Sequence, residues 1–199
     1  MVKILGFNGS PRRNGNTSKI MEAIFEGVRS QGATSKEIRL HDINMKGCMG
    51  CLSCRTEIGR CKQNDDLSPF LEEIKTADGI VMGCPIYMYR ISGQMKLLVD
   101  RMYSLYANLP QGGYKSMVPA GKTYALVVSQ GADNQELYQK SIRYLAGMTG
   151  SGLGMEEVGR IVHINSHDKP AEKNGEMLKN AFEIGQKMAR NIPKNITVE

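Results

Sequence analysis

Five apolar runs of strand length, separated by stretches of helical periodicity, constrain this chain more than any other feature. The runs fall at 2–8, 36–43, 79–84, 123–129 and 160–164. Between them, Ile20, Ile24 and Val28 share one face of a helix over 17–31. Leu67, Phe70, Leu71 and Ile74 follow the i, i+3, i+4, i+7 rule, with Pro69 in the first turn. Met95, Leu98, Val99 and Met102 mark a third helix. A fourth covers 133–148, with Asp133 and Glu136 at capping-box spacing. Leu178, Ala181, Phe182, Gly185, Met188 and Ala189 give the face of a last one. Strands that are apolar throughout must be covered on both faces, which calls for a parallel sheet between helices. The expectation is an α/β doubly wound sheet of five parallel strands; right-handed crossovers leave few topologies, and of these we favour the order 2-1-3-4-5.

A chain of 199 residues suits one domain with a sizeable core. We expect a single unit over 1–199 with a cysteine-rich insert at about 44–66. A second irregular stretch, 107–121, is rich in Gly and Pro; irregular segments of this length are usually functional or disordered. Within it and just before it, Leu105, Tyr106 and Leu109 serve equally as interface or core residues.

The net charge of +6 is spread along the chain without a basic run or a basic stripe with interleaved aromatics, so nucleic acid is not expected as a partner. No apolar stretch is long enough to cross a bilayer, so no membrane is expected either. Residues 2–7 read as a core strand and not as a signal peptide, which points to the cytoplasm.

The segment Gly9-Ser-Pro-Arg-Arg-Asn-Gly-Asn-Thr-Ser18 joins the first strand to the first helix. Ligands of open α/β sheets sit at this edge, beside the switch point of strand order. Ser10, Thr17 and Ser18 offer hydroxyls, Asn14 and Asn16 amides, and Gly15 close backbone approach. Arg12 adds a charge-assisted bond, and the helix N–H groups aim at the same spot. Together they suit a phosphate monoester. The plainer alternative is a polar turn with Thr17 as its N-cap. The segment is neither a Walker A loop nor a dinucleotide fingerprint. The run Gly150-x-Gly152-x-Gly154 follows a helix and reads as a turn.

This loop resembles the phosphate loop of the NAD(P)H-dependent FMN reductase group of flavodoxin-like proteins. A second match is Cys84-Pro-Ile-Tyr-Met-Tyr-Arg-Ile-Ser-Gly-Gln-Met-Lys96, followed by Asp100-Arg101; a third, weaker one is Ser129-Gln-Gly-Ala-Asp133. The resemblance implies FMN, with Pro85, Ile86, Tyr87 and Met88 along the isoalloxazine and Ser129 and Gly131 at its pyrimidine edge. Loops with Pro85 and Gly131 can present backbone N–H groups to a flat ring, and Tyr87 or Tyr89 can stack on it. Either tyrosine serves equally well as a partly buried loop residue.

Cys48-x2-Cys51-x2-Cys54-x6-Cys61 is the sharpest motif in the chain. Its first three spacings equal those of ferredoxin runs that wrap a cubane cluster. Structural zinc more often uses two separated pairs, and redox-active thiols are a further alternative. The pattern resembles the iron–sulfur flavoprotein branch of the same family, which implies a [4Fe–4S] cluster. Cys48, Cys51, Cys54 and Cys61 would be its ligands, in a segment expected to emerge beside the phosphate loop. Cys84, inside a strand, reads as an inert core thiol. His41, His163 and His167 are scattered, and no nucleophilic triad is visible.

The expectation is therefore an FMN-dependent oxidoreductase in which no side chain acts as nucleophile or general base. FMN and a [4Fe–4S] cluster would link a donor, NAD(P)H or a ferredoxin-type protein, to a small-molecule or protein acceptor. A homodimer or homotetramer is expected from the family resemblance. The alternative from another class is a non-enzymatic electron carrier that docks on partner proteins; a redox sensor acting through its thiols is a third. A lid made by 107–121 would favour a small substrate, and a bare flavin edge would favour protein docking.

Overall fold

The computed structural model describes residues 1–56 and 59–190. Five strands form one parallel sheet: β1 (Lys3–Asn8), β2 (Thr34–Arg39), β3 (Gly79–Tyr87), β4 (Thr123–Ser129) and β5 (Glu156–His163). Their spatial order is β2-β1-β3-β4-β5, the flavodoxin-like arrangement expected from the sequence. The helices are α1 (Asn16–Arg29), α2 (Ser68–Thr76), α3 (Gly93–Arg101), α4 (Gln139–Gly147) and α5 (Gly175–Arg190).

Every residue of β4 is buried, as are the first seven of β3, because both strands have neighbours on each side and helices on each face. Alternate side chains feed two cores. Leu5, Phe7, Ile80, Met82 and Leu126 pack with α2 and α3. Ile4, Val81, Ala125 and Val127 pack with α1 and α5 on the opposite face. No helix among the described residues is long and apolar enough to cross a membrane.

The structure departs from the sequence expectation where elements are polar. β2 occupies 34–39 and not 36–43, and β5 starts at Glu156 and not at 160. Both are edge strands with a face in water, where apolar content no longer marks the strand. The fourth helix starts later than expected, after a 3₁₀ turn, Gln135–Tyr138. Asn134, not Asp133, caps that turn, accepting from the Glu136 N–H at 2.9 Å. The Gly150–Gly154 region continues α4 as a wide helical turn, Met148–Gly152, and then reverses at Gly154 with φ of +78°. Segment 107–121 contains a hairpin, Tyr106–Asn108 with Tyr114–Ser116. Leu105 is fully buried and is therefore core, not interface.

α1 and α5 touch backbone to backbone through Gly27 and Gly185. A Cβ at Gly185 would stand 1.9 Å from Ile24 O, and one at Gly27 would stand 2.0 Å from Phe182 O. Neither neighbour is a flexible side-chain end, so the helices must separate to admit a methyl group. Gly185→Ala is expected to destabilise the fold by about 1–3 kcal/mol or more despite its better helix propensity. Urea unfolding checks this; an unchanged or raised midpoint overturns it.

Candidate flavin and cysteine sites

The loop after β1 is held from below by buried polar groups. Asn8, fully buried, accepts the Ser10 N–H at 2.9 Å and donates to Ser18 Oγ at 2.9 Å and Glu37 Oε1 at 2.7 Å. Gly9 donates its N–H to Gly83 O at 2.7 Å, which ties the ends of β1 and β3. A Cβ there would meet Ser92 Oγ at 2.7 Å and Met95 Cβ at 3.0 Å, so the close approach requires glycine. Ser10, Thr17 and Ser18 are buried, whereas Arg12 and Asn14 stand in solvent.

The start of α1 has no side-chain cap and no acid in its first turn. Its first helical bond runs from Lys19 N–H to Gly15 O. The N–H groups of Asn16, Thr17 and Ser18 therefore precede the helical ladder and face outward with the positive end of the dipole. Thr17 is not the cap, as the plainer reading would have it; it sits inside the helix, 2.6 Å from Ser129 Oγ at the end of β4. That contact brings two separate sequence motifs together. Asn16 turns away to brace a neighbouring loop: its amide donates to Ser166 O at 2.9 Å and its Oδ1 accepts from Ala171 N–H at 2.8 Å.

One cation beneath this loop escaped the sequence reading. Arg39, at the end of β2, has a largely buried side chain whose guanidinium lies 3.3 Å from Ser18 Oγ and 3.5 Å from Ser10 O, and it pairs with Asp42 at 3.3 Å and Glu37 at 3.8 Å. Its signal in sequence was only a basic residue within the expected second strand, 36–43, indistinguishable from a solvated one.

The Pro85–Tyr87 region ends β3 and folds back as a tight hairpin, with Ile86 opposite Ile91 and Tyr87 opposite Arg90. Its two turn residues, Met88 (φ +45°) and Tyr89 (φ +67°), adopt the left-handed region that glycine or asparagine would normally fill. Ser141 Oγ donates to Tyr89 O at 3.0 Å, and the Tyr89 ring meets Tyr138 edge-on at 5.7 Å. The turn thus presents Tyr87, Met88 and Tyr89 to solvent; Met88 is 89% exposed. Next to it, a Cβ on Gly131 would stand 2.8 Å from His167 Cδ2. His163 is buried with Nε2 2.7 Å from Lys169 O, and burial lowers its pKa. Burial likewise pushes the Cys84 thiol up to about 12, as befits an inert core thiol.

The cysteine segment does not lie over the phosphate loop. It is seated on the C-terminal end of α3, nine residues long, whose first turn adjoins Gly9. At 1.5 Å per residue the two ends of α3 are about 12 Å apart along its axis. Cys48, Cys51, Cys54 and Cys61 all line one cavity of 130 Å³, together with Arg101, Tyr103 and Ser104. Cys48 and Cys51 are exposed, Cys54 and Cys61 partly buried. Hydrogen bonding from Ser53 lowers the Cys51 thiol pKa. Among the described residues no three His, Cys, Asp or Glu side chains converge tightly enough for a single metal ion. A cubane cluster asks for something looser, one thiolate on each of four separate irons. Four cysteines around one small cavity fit that demand.

Arg101 fastens the segment down. Its side chain has no exposed surface and pairs with Asp65 at 2.7 Å. It also donates to Lys46 O at 2.9 Å. Burial alone would raise the Asp65 carboxyl, but Arg101, the Lys46 N–H and the Ser68 hydroxyl hold it down to about 2.

A family model described as NADPH-dependent FMN reductase matches residues 2–167. An iron-sulfur flavoprotein of Methanocaldococcus jannaschii is 37% identical over 100 residues, covering 50% of this chain and 51% of that protein. The match therefore spans about half the length of that relative. An iron-sulfur flavoprotein of Archaeoglobus fulgidus is 27% identical over 201 residues, covering 100% of this chain and 84% of the relative. Among solved structures, an NAD(P)H:quinone oxidoreductase from Methanothermobacter marburgensis shares the fold with a TM-score of 0.73 at 15% identity, covering 94% of this chain and 98% of that one.

Proposed function

Because the chain belongs to the NADPH-dependent FMN reductase family, in its iron–sulfur flavoprotein branch, we propose that it is an FMN-dependent oxidoreductase. It would pass electrons between a reduced donor and a small-molecule or protein acceptor through FMN and a [4Fe–4S] cluster. The observation that carries the flavin part is the uncapped, acid-free start of α1, ringed by buried hydroxyls at the carboxyl edge of the sheet. When bound, FMN supplies one- and two-electron chemistry and the cluster one-electron chemistry.

The chain's own groups bind and orient. Ser10, Thr17 and Ser18 hydroxyls and the first-turn N–H groups hold the phosphate. Arg12 and Asn14 close over it from the solvent side. Asn16 braces the loop, and Arg39, paired with Asp42 and Glu37, holds it from beneath through Ser18 Oγ and Ser10 O. Backbone at Pro85, Ile86, Met88 and Gly131 lines the ring's polar edge, with Tyr87 against its face and Ser129 holding Thr17 in place. No proton transfer by a side chain is required.

Flavin released by denaturation is expected to be FMN; recovery of FAD, or no uptake of added FMN, overturns the reading. A Ser10→Ala/Thr17→Ala double variant should bind FMN more weakly. Each bond to a charged group is worth about 1.5–3 kcal/mol, and fluorescence titration reads the loss. Equal affinity in the double variant removes these hydroxyls from the site.

One observation favours the second reading, an electron carrier that docks on partner proteins. The 106–116 hairpin is no lid over the flavin-facing turn. Asn108 lies 3.3 Å from Arg55, and Tyr114 stacks edge-on to Tyr103 at 5.7 Å, on the cysteine side. Turnover of NAD(P)H with a quinone supports an enzyme; reduction only by a ferredoxin-type protein supports a carrier. The exposed Tyr87–Tyr89 turn also suits burial against a second copy, as in a homodimer or homotetramer. Sedimentation equilibrium at micromolar concentration should show self-association, and a 22.0 kDa species alone would remove that part.

A further inference from the structure

Two guanidinium groups flank the cysteine cavity, and each has a buried Nε with no hydrogen-bond partner among the described residues. Arg101 is part of the cavity wall. Arg55 follows Cys54 directly, its terminal nitrogen 3.6 Å from Cys54 Sγ. The rest of Arg55 is fixed. It stacks on the Tyr103 ring at 4.2 Å and donates to Tyr103 O at 2.5 Å. Buried guanidinium N–H groups are costly to leave unpaired, and such orphans usually mark a missing partner. The partner must be an acceptor, because guanidinium only donates.

The charges say what kind of acceptor. Arg101 is neutralised by Asp65, whereas Arg55 has no carboxylate partner among the described residues. The other charged residues of the cavity wall, Lys62 and Asp100, are of opposite sign. A cavity of four thiols, with a cation at its edge that has no carboxylate partner among the described residues, suits a group that carries net negative charge on sulfur.

We propose that Arg55 and Arg101 form a clamp for an anionic metal–thiolate group held by the four cysteines, donating to its sulfurs, with Arg55 setting its reduction potential. The proposal rests on the cluster reading above. Arg55 acts through the cysteines and is a positioning and tuning residue. A positive charge beside the group favours the reduced, more negative form. Removing that charge must therefore lower the potential.

The test compares the parent, Arg55→Gln and Arg55→Lys, all made and kept without oxygen, by iron and sulfide content and by a potentiometric titration followed spectroscopically. Arg55→Gln is expected to shift the reduction equilibrium at least tenfold toward the oxidised form, 59 mV for one electron, or to lose iron that the parent retains. Arg55→Lys should recover much of the shift, because it restores the charge without the fork. Thermal unfolding of the metal-free forms separates this from simple loss of fold. If Arg55→Gln alters that unfolding, Arg101→Lys, which keeps the charge on Asp65 but withdraws Nε, takes its place and should lower iron retention. A parent with four irons and a variant of unchanged potential and iron content overturns the clamp alone. A parent without iron and sulfide overturns the cluster reading, and the clamp with it.

Discussion

Asp65→Asn is expected to cost about 3–5 kcal/mol of stability, the largest effect of any single change outside the apolar core. The pair it breaks is fully enclosed on the arginine side: Arg101 has no exposed side-chain surface, and Asp65 little. With the carboxylate gone, a guanidinium remains buried without its counter-charge, which is far worse than never having had the pair. The comparison that isolates this is a cycle with Arg101→Met. The double variant should recover part of the loss; the Lys46 carbonyl, which now accepts from Arg101 at 2.9 Å, would still lack its donor. Urea midpoints read both quantities, and a single variant as stable as the parent sinks the argument.

The same pair fixes a pH dependence. The folded Asp65 pKa is depressed to about 2, against about 3.9 for an unfolded aspartate. In that window the unfolded chain binds the proton more readily, so stability rises with pH. The contribution of Asp65 is fully present above about pH 4 and is lost as pH falls toward 2. The Asp65→Asn variant should therefore show a shallower decline over that interval than the parent.

Much of the architecture was legible in the sequence, for a definable reason. β1, β3 and β4 lie inside the sheet, so burial on both faces wrote them as apolar runs, and right-handed crossovers narrowed the strand orders to a few. β2 and β5 were blurred because an edge strand needs only half of its residues apolar. Leu105 reads equally as interface or core beside a Gly- and Pro-rich stretch; it is core, and Met117 N–H donates to its carbonyl at 2.8 Å. The phosphate loop was legible as chemistry, since hydroxyls and amides crowd one strand-to-helix turn. What sequence could not say was how they divide the work. Asn16 braces a loop 150 residues away, and Thr17 joins Ser129 across 112 residues; such partners are set by topology and not by spacing. Arg39 and Arg55 escaped notice for a related reason, and Arg101 was legible only as part of a motif, without its burial. A buried arginine and a solvated one are the same letter, and only packing tells them apart.

The cysteines lead to the other large effect. Protein made and kept without oxygen is expected to hold about four irons and matching sulfide per chain, and replacing Cys48, Cys51 or Cys54 by Ala should abolish both. Cys61 is the expected fourth ligand, since it shares the 130 Å³ cavity with the other three while Cys84 is buried elsewhere. A cubane loses a corner with each thiolate removed, so the effect should be all or none and not graded. FMN should stay bound in every such variant. The loops that would hold it end β1, β3 and β4, whereas the cysteines sit at the far end of α3, about 12 Å away along its axis. Iron and sulfide analysis reads one site, and flavin absorbance reads the other. Zinc in place of iron, or free thiols with no metal under those conditions, would defeat the cluster and leave an FMN-only protein. Loss of flavin together with iron would instead show that the cysteine segment supports the flavin loops, against the separation that α3 imposes.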